Sequence, residues 1–185
     1  MPARRILPPP PCIWPSWEAL MAEALAEAGR AAAQGEVPVG AVLVSAQGAI
    51  LGRGRNSPET SHDPTAHAEI RALREAGLQS GNYRLDGTVL IVTLEPCLMC
   101  VGAMIHARIA GLVYGAPDPL AGAVDSLLDG LDPPFSSRRI WRLGGVAEEH
   151  CAALLRDFFS RRRKPSAPRR ADKAQNLLRR GEHGH

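Results

Sequence analysis

No stretch of this sequence comes near the roughly 18 consecutive apolar residues that a membrane-crossing helix needs. Its beginning also lacks the uninterrupted apolar segment of an export signal, because Arg4 and Arg5 run into Pro8, Pro9, Pro10 and Pro11. A chain with neither feature is expected to remain in the cytoplasm. Cysteine is scarce, four in 185 residues, and in that compartment a disulfide framework is not expected. Internal repeats are missing, and Gly52-Arg53-Gly54 is too short to serve as a phosphate-binding loop. What remains is ordinary for a globular protein: 45% apolar and 22% charged residues, on a length that suits one domain with its own core.

The charge is unevenly spread. Residues 161–185 hold nine cations against two acids, Asp172 and Glu182, and residues 1–160 hold 13 cations against 17 acids. A basic tail on a mildly acidic body is a common arrangement for binding nucleic acid, although such a block can also be a solvated tail with no partner. At the other end, six prolines within residues 1–15 exclude a regular helix or strand. The expected organisation is a flexible proline-rich leader over 1–15, a folded domain over 16–163 and a basic tail without regular structure over 164–185.

Within the domain, apolar spacing predicts a helix from Trp17 to Gly35, with Ser16 as its cap. Val39–Ser45 and Ile50–Arg55 read as a hairpin across Gln47-Gly48. Asp63-Pro64 is expected to open a second helix that runs to Gly77. Thr88–Thr93 is apolar on both parities, as a strand buried on two faces should be. Further expectations are a helix over Leu98–Arg108, a short strand over Leu112–Tyr114, a loop over Gly115–Pro134, a strand over Ile140–Leu143 and a helix over Glu148–Arg162. Strands alternating with helices indicate an α/β sheet with helices on its faces.

The segment TLEPCLMCVGAMI raises the chemical question, since Cys97 and Cys100 are spaced C-x-x-C in an apolar run. They can be a redox pair, half of a structural metal site or ligands of a catalytic one. His67, in Thr65-Ala66-His67-Ala68-Glu69, favours metal, because one nitrogen and two sulfur donors suit zinc. Both clusters fall at expected helix starts, where the positive end of the helix dipole stabilises anions. Cys12 and Cys151 have no second ligand at short spacing, so three protein ligands are expected, with the fourth position left to water as in catalytic sites. Glu69 is the candidate proton carrier. Helical residues turn by about 100° each, so Glu69 is not a co-ligand beside His67 but can sit next to the metal; alternatively it is an exposed first-turn acid.

The motifs HAE (67–69) and PCLMC (96–100) carry the H-x-E and P-C-x-x-C signature, and by them the chain resembles the zinc-dependent nucleobase deaminases. The segments EVPVGAVLV (36–44), NSPETSHDPTAHAEI (56–70), NYRL (82–85) and TLEPCLMCVGAMIHARI (93–109) are similar to the bacterial tRNA-specific adenosine deaminases within that superfamily. The resemblance spans roughly Trp17 to Arg163. It implies a three-layer α/β/α fold of the cytidine-deaminase type with a central mixed sheet of about five strands. It also implies one zinc per subunit on His67, Cys97 and Cys100, with Glu69 moving protons. The implied reaction is hydrolytic deamination of the wobble adenosine of a tRNA anticodon loop to inosine, by a homodimer. Asn56 then matches a base-contacting asparagine, Val37 the apolar wall of the base pocket and Asp118 a contact to the substrate backbone. The loop GAPDPLAGA (115–123) departs from the family pattern, since Pro117 and Leu120 stand where cations are usual.

Overall fold

The computed structural model describes residues 9–11, 13–132 and 139–163. Much of the expected leader and the whole of the 164–185 tail lie outside the described residues. The part of the leader that is described docks on the domain: Pro11 and Trp14 form a turn, and the Trp14 indole donates to the carbonyl of Gly48 at 2.8 Å.

The first helix, α1 (Trp17–Ala33), begins where its cap is expected, with Ser16 accepting from the amide of Ala19. The hairpin follows as β1 (Gly40–Val44) and β2 (Ile50–Arg55), paired antiparallel. A short helix, α2 (Pro58–Ser61), then precedes α3 (Ala68–Ser80). Here the expected helix is corrected at both ends. Asp63 does not open it. Its carboxylate accepts from the amide and the hydroxyl of Thr65 at 2.8 and 2.7 Å, a local turn that competes with helix. Gly77 does not stop it either, because Gly81, at φ 60°, takes the left-handed terminating position.

Strand β3 (Val89–Leu94), helix α4 (Leu98–Ala107) and strand β4 (Gly111–Ala116) form a parallel unit. Strand β4 extends two residues into the expected loop, since Ala116 pairs with Leu94. Strand β5 (Trp141–Leu143) and helix α5 (Glu148–Arg163) complete the domain. The sheet order is β2-β1-β3-β4-β5, antiparallel at β2-β1-β3 and parallel at β3-β4-β5, so the sheet is mixed and β3 is its centre.

Side-chain alternation sorts the core into two layers. Ala41, Leu43, Leu90, Val92, Leu112 and Tyr114 face α3 and α4, whereas Val42, Val44, Val89, Ile91 and Val113 face α1 and α5. Each leucine or isoleucine fully removed from water there contributes about 2 kcal/mol. Helix α3 lies directly on β2. A Cβ on Gly54 would stand 1.9 Å from the carbonyl oxygen of Ala68, and one on Gly52 would stand 2.2 Å from that of Ala72. The two glycines of the Gly-Arg-Gly run therefore set how closely the helix behind His67 approaches the sheet.

Candidate active site

His67 and Cys97 occupy equivalent places. Each is the extended residue immediately before a helix, α3 and α4 respectively, and neither side chain caps its own helix. Cys100 lies one turn into α4, on the same face as Cys97. The three donors converge: His67 Nδ1 is 3.7 Å from Cys97 Sγ and 3.6 Å from Cys100 Sγ, and the sulfurs are 3.7 Å apart. Ideal tetrahedral zinc bonds place sulfur about 3.8 Å from sulfur and about 3.6 Å from nitrogen. The donor types and their separations thus both fit one zinc ion. Among the described residues the converging group holds three ligands, the number found in catalytic zinc sites.

The thiols are electrostatically unequal. The hydrogen bond with Cys100 holds Cys97 down to about 4 against the cost of its partial burial, with help from His67. Cys100 is pushed far upward by the same bond and by burial. His67 is raised, chiefly by its hydrogen bond with Cys97. Bound zinc would take both sulfurs as thiolates.

Glu69 is buried, 4% exposed, which removes the reading of a solvated first-turn acid. It contacts the thiol of Cys100, and burial pushes its carboxyl above the ordinary range. Asn56 sits at the same helix start: its Oδ1 accepts from the amide of Ala68 at 3.0 Å, between His67 and Glu69. Val37 is partly buried against the core. Its neighbour Glu36, 1% exposed, accepts from the amide of Thr60 at 2.6 Å and so ties this segment to α2. Asp118 turns inward on its own loop, accepting from the amides of Leu120 and Ala121 at 2.9 and 3.2 Å.

One residue of the site region was missed in the sequence. Glu95, 2% exposed at the end of β3, accepts hydrogen bonds from the amides of Asp118, Val124, Asp125 and Ser126 and from the Ser126 hydroxyl. Those bonds hold its carboxyl down to about 2 although desolvation acts the other way. The available signal was a single acid closing the apolar run TVLIVTL.

Residues 15–116 match the cytidine and deoxycytidylate deaminase zinc-binding region. The tRNA-specific adenosine deaminase of Haemophilus influenzae is 46% identical over 80% of this chain and 85% of its own length. The tRNA(Ile)-lysidine synthase of Deinococcus radiodurans is 48% identical over 80% of this chain, which spans only 25% of that protein. Among solved structures, a tRNA:A34 deaminase studied for A-to-I editing at the wobble position is 44% identical with a TM-score of 0.70, covering 73% of this chain and 97% of that one. The matched segment is more than half of the chain and contains His67, Glu69, Cys97 and Cys100: the chain belongs to the zinc-dependent cytidine and deoxycytidylate deaminase family.

Proposed function

We propose that this protein hydrolyses the wobble adenosine of a tRNA anticodon loop to inosine, releasing ammonia. The observation that carries the substrate class is the 46% identity to a tRNA-specific adenosine deaminase across nearly the full domain, joined to a three-donor metal site with a buried carboxyl beside it.

His67, Cys97 and Cys100 hold the zinc, and zinc in such an open site supplies acid strength that brings the ionisation of a ligated water close to neutral pH. Glu69 accepts the proton that the attacking water loses and delivers it to N1 of the adenine ring as C6 becomes tetrahedral. Glu69 then takes the proton of the new C6 hydroxyl and gives it to the departing amine, so that the bond from C6 to the amine breaks as the C6 carbonyl forms and ammonia leaves. Its buried position keeps those protons away from bulk solvent. Asn56, fixed by the Ala68 amide, keeps its Nδ2 donors for the base, and Val37 supplies an apolar wall. Asp118 stands on the loop that meets the substrate backbone. An unpaired loop suits such a site, because a base that is already unstacked is easily turned into a pocket.

The active species is a homodimer in the cytoplasm. Support for the dimer comes from an apolar groove of about 990 Å³ between α3 and α4, lined by Leu78, Tyr83 and Met99 among others. Those three side chains are exposed to solvent there, and exposed apolar surface gathered in one groove marks an interface. No helix among the described residues is long and apolar enough to cross a membrane.

The test is incubation of the zinc-loaded protein with tRNA carrying adenosine at the wobble position, and separately with free bases and nucleosides. Inosine in the tRNA is the expected result. Deamination of free guanine or cytidine with none of the tRNA would overturn the proposal.

A further inference from the structure

The loop after β4 is built around one carboxylate. Glu95 Oε1 accepts from three successive amides, those of Val124, Asp125 and Ser126, at 3.1, 2.8 and 2.9 Å. Its Oε2 accepts from the amide of Asp118 at 3.0 Å and from the Ser126 hydroxyl. The loop is drawn so tightly over this group that a Cβ on Gly122 would lie 2.5 Å from the Glu95 carboxyl carbon. The same loop is tied to the metal-bearing segment: Gly122 bridges to Cys97, and Ala123 donates to the carbonyl of Pro96 at 2.9 Å. A second anchor holds its outer half, where Asp125 accepts from the Tyr114 hydroxyl at 2.6 Å and pairs with Arg142 at 2.8 Å.

A buried acid at a strand end is costly unless each lone pair finds a donor. An apolar residue would fill the same space more cheaply, so a carboxylate here serves geometry. From this arrangement we infer that Glu95 is a positioning residue for substrate capture. It fixes the backbone of the 118–126 loop against Cys97, so that the Asp118 segment is already in place when RNA arrives. This rests on the proposed tRNA reaction. It assigns to Glu95 no contact with zinc or with the reacting atoms.

The experiment compares wild type with Glu95→Gln and Ser126→Ala, each as full-length zinc-loaded protein. It measures bound zinc, amide hydrogen exchange of the loop, and kcat and KM on the wobble-adenosine tRNA. Gln keeps an acceptor for the three amides but replaces the oxygen that receives the Asp118 amide with a donor. Zinc should stay stoichiometric in Glu95→Gln and the Asp118 amide should lose protection. KM for tRNA should rise about ten-fold, as for a lost hydrogen bond to a charged group, with kcat changed less than about two-fold. Ser126→Ala, which keeps the carboxylate, should shift KM in the same direction by less. Loss of zinc from Glu95→Gln would overturn the inference by making the carboxylate a support of the metal centre. A tRNA KM unchanged in both variants would overturn it too. Wild type inert on tRNA would instead overturn the reading on which it rests, whatever the variants do.

Discussion

His67 Nδ1 and Cys97 Sγ stand 3.7 Å apart although 30 positions separate them in the chain, and each is the last extended residue before a helix. The parallel placement has a physical consequence. The amide groups of two helix starts face one small volume, and their combined positive field favours the anionic thiolates and a buried carboxylate in the same place. Glu69 in the first turn of α3 and Cys100 in the first turn of α4 complete that volume.

Replacement of Glu69 by Gln should leave zinc bound at one per chain and abolish inosine formation, by 10²-fold or more on the scale of general acid–base catalysis, roughly 10²–10⁴. Metal analysis and nucleoside analysis of the reacted tRNA measure the two separately. Unchanged activity would make the buried acid a structural group.

Cys100→Ala should lose zinc, because two donors do not retain it, and the thermal midpoint of the variant should match that of wild type treated with a chelator. Wild type should recover its midpoint when zinc is returned, whereas the variant should not.

Gly54→Ala tests the closeness of α3 to β2. The new methyl meets the carbonyl oxygen of Ala68 at 1.9 Å and the amide nitrogen of Ala72 at 2.6 Å, both of them backbone, so the helix must move. Destabilisation of about 1–3 kcal/mol is expected, read by denaturant unfolding. A lower zinc occupancy should accompany it, since the displaced helix carries Glu69 and follows His67.

Helix α5 is pinned to α2 by Arg162, which donates to both oxygens of Glu59 and to the carbonyl of Gly35. The Arg162 hydrogen bond lowers the pKa of Glu59. A carboxylate whose folded value is depressed stabilises the fold above its unfolded value, about 4.3, and loses that contribution as pH falls through the lower folded value. Amide exchange in the last turn of α5 should therefore quicken as pH is taken below about 4.3, relative to an Arg162→Ala control. Because the pair is exposed, added salt should weaken it. Exchange equally fast in wild type and control at neutral pH would show the pair to be without effect.

Removal of residues 165–185, which carry five of the nine C-terminal cations, should weaken tRNA binding and flatten the dependence of affinity on salt. Binding measured at several salt concentrations gives the slope, and an unchanged slope would make the tail a bystander.

Much of this was legible in the chain. Apolar spacing and one serine located α1, the Gln47-Gly48 turn located the hairpin, and the doubly apolar run at residues 88–93 identified the central strand, because these patterns arise from local periodicity. The family signature likewise named His67, Glu69, Cys97 and Cys100. The start and end of α3 depart from the local pattern, since Asp63 and Gly77 are equally at home in a turn or in a helix, and only the competing partners decide between them.

The residue order alone specifies the set of donors, their soft nitrogen-and-sulfur chemistry and the layered α/β scaffold. The tertiary structure alone decided that the donors meet at tetrahedral spacing, that Glu69 is buried beside them, and that Glu95 gathers a loop from 23 to 31 positions away onto the edge of the site. Distance and burial depend on how helices seat on a sheet, here on Gly52 and Gly54 beneath α3, and that contact couples residues far apart in the chain, which no local pattern records.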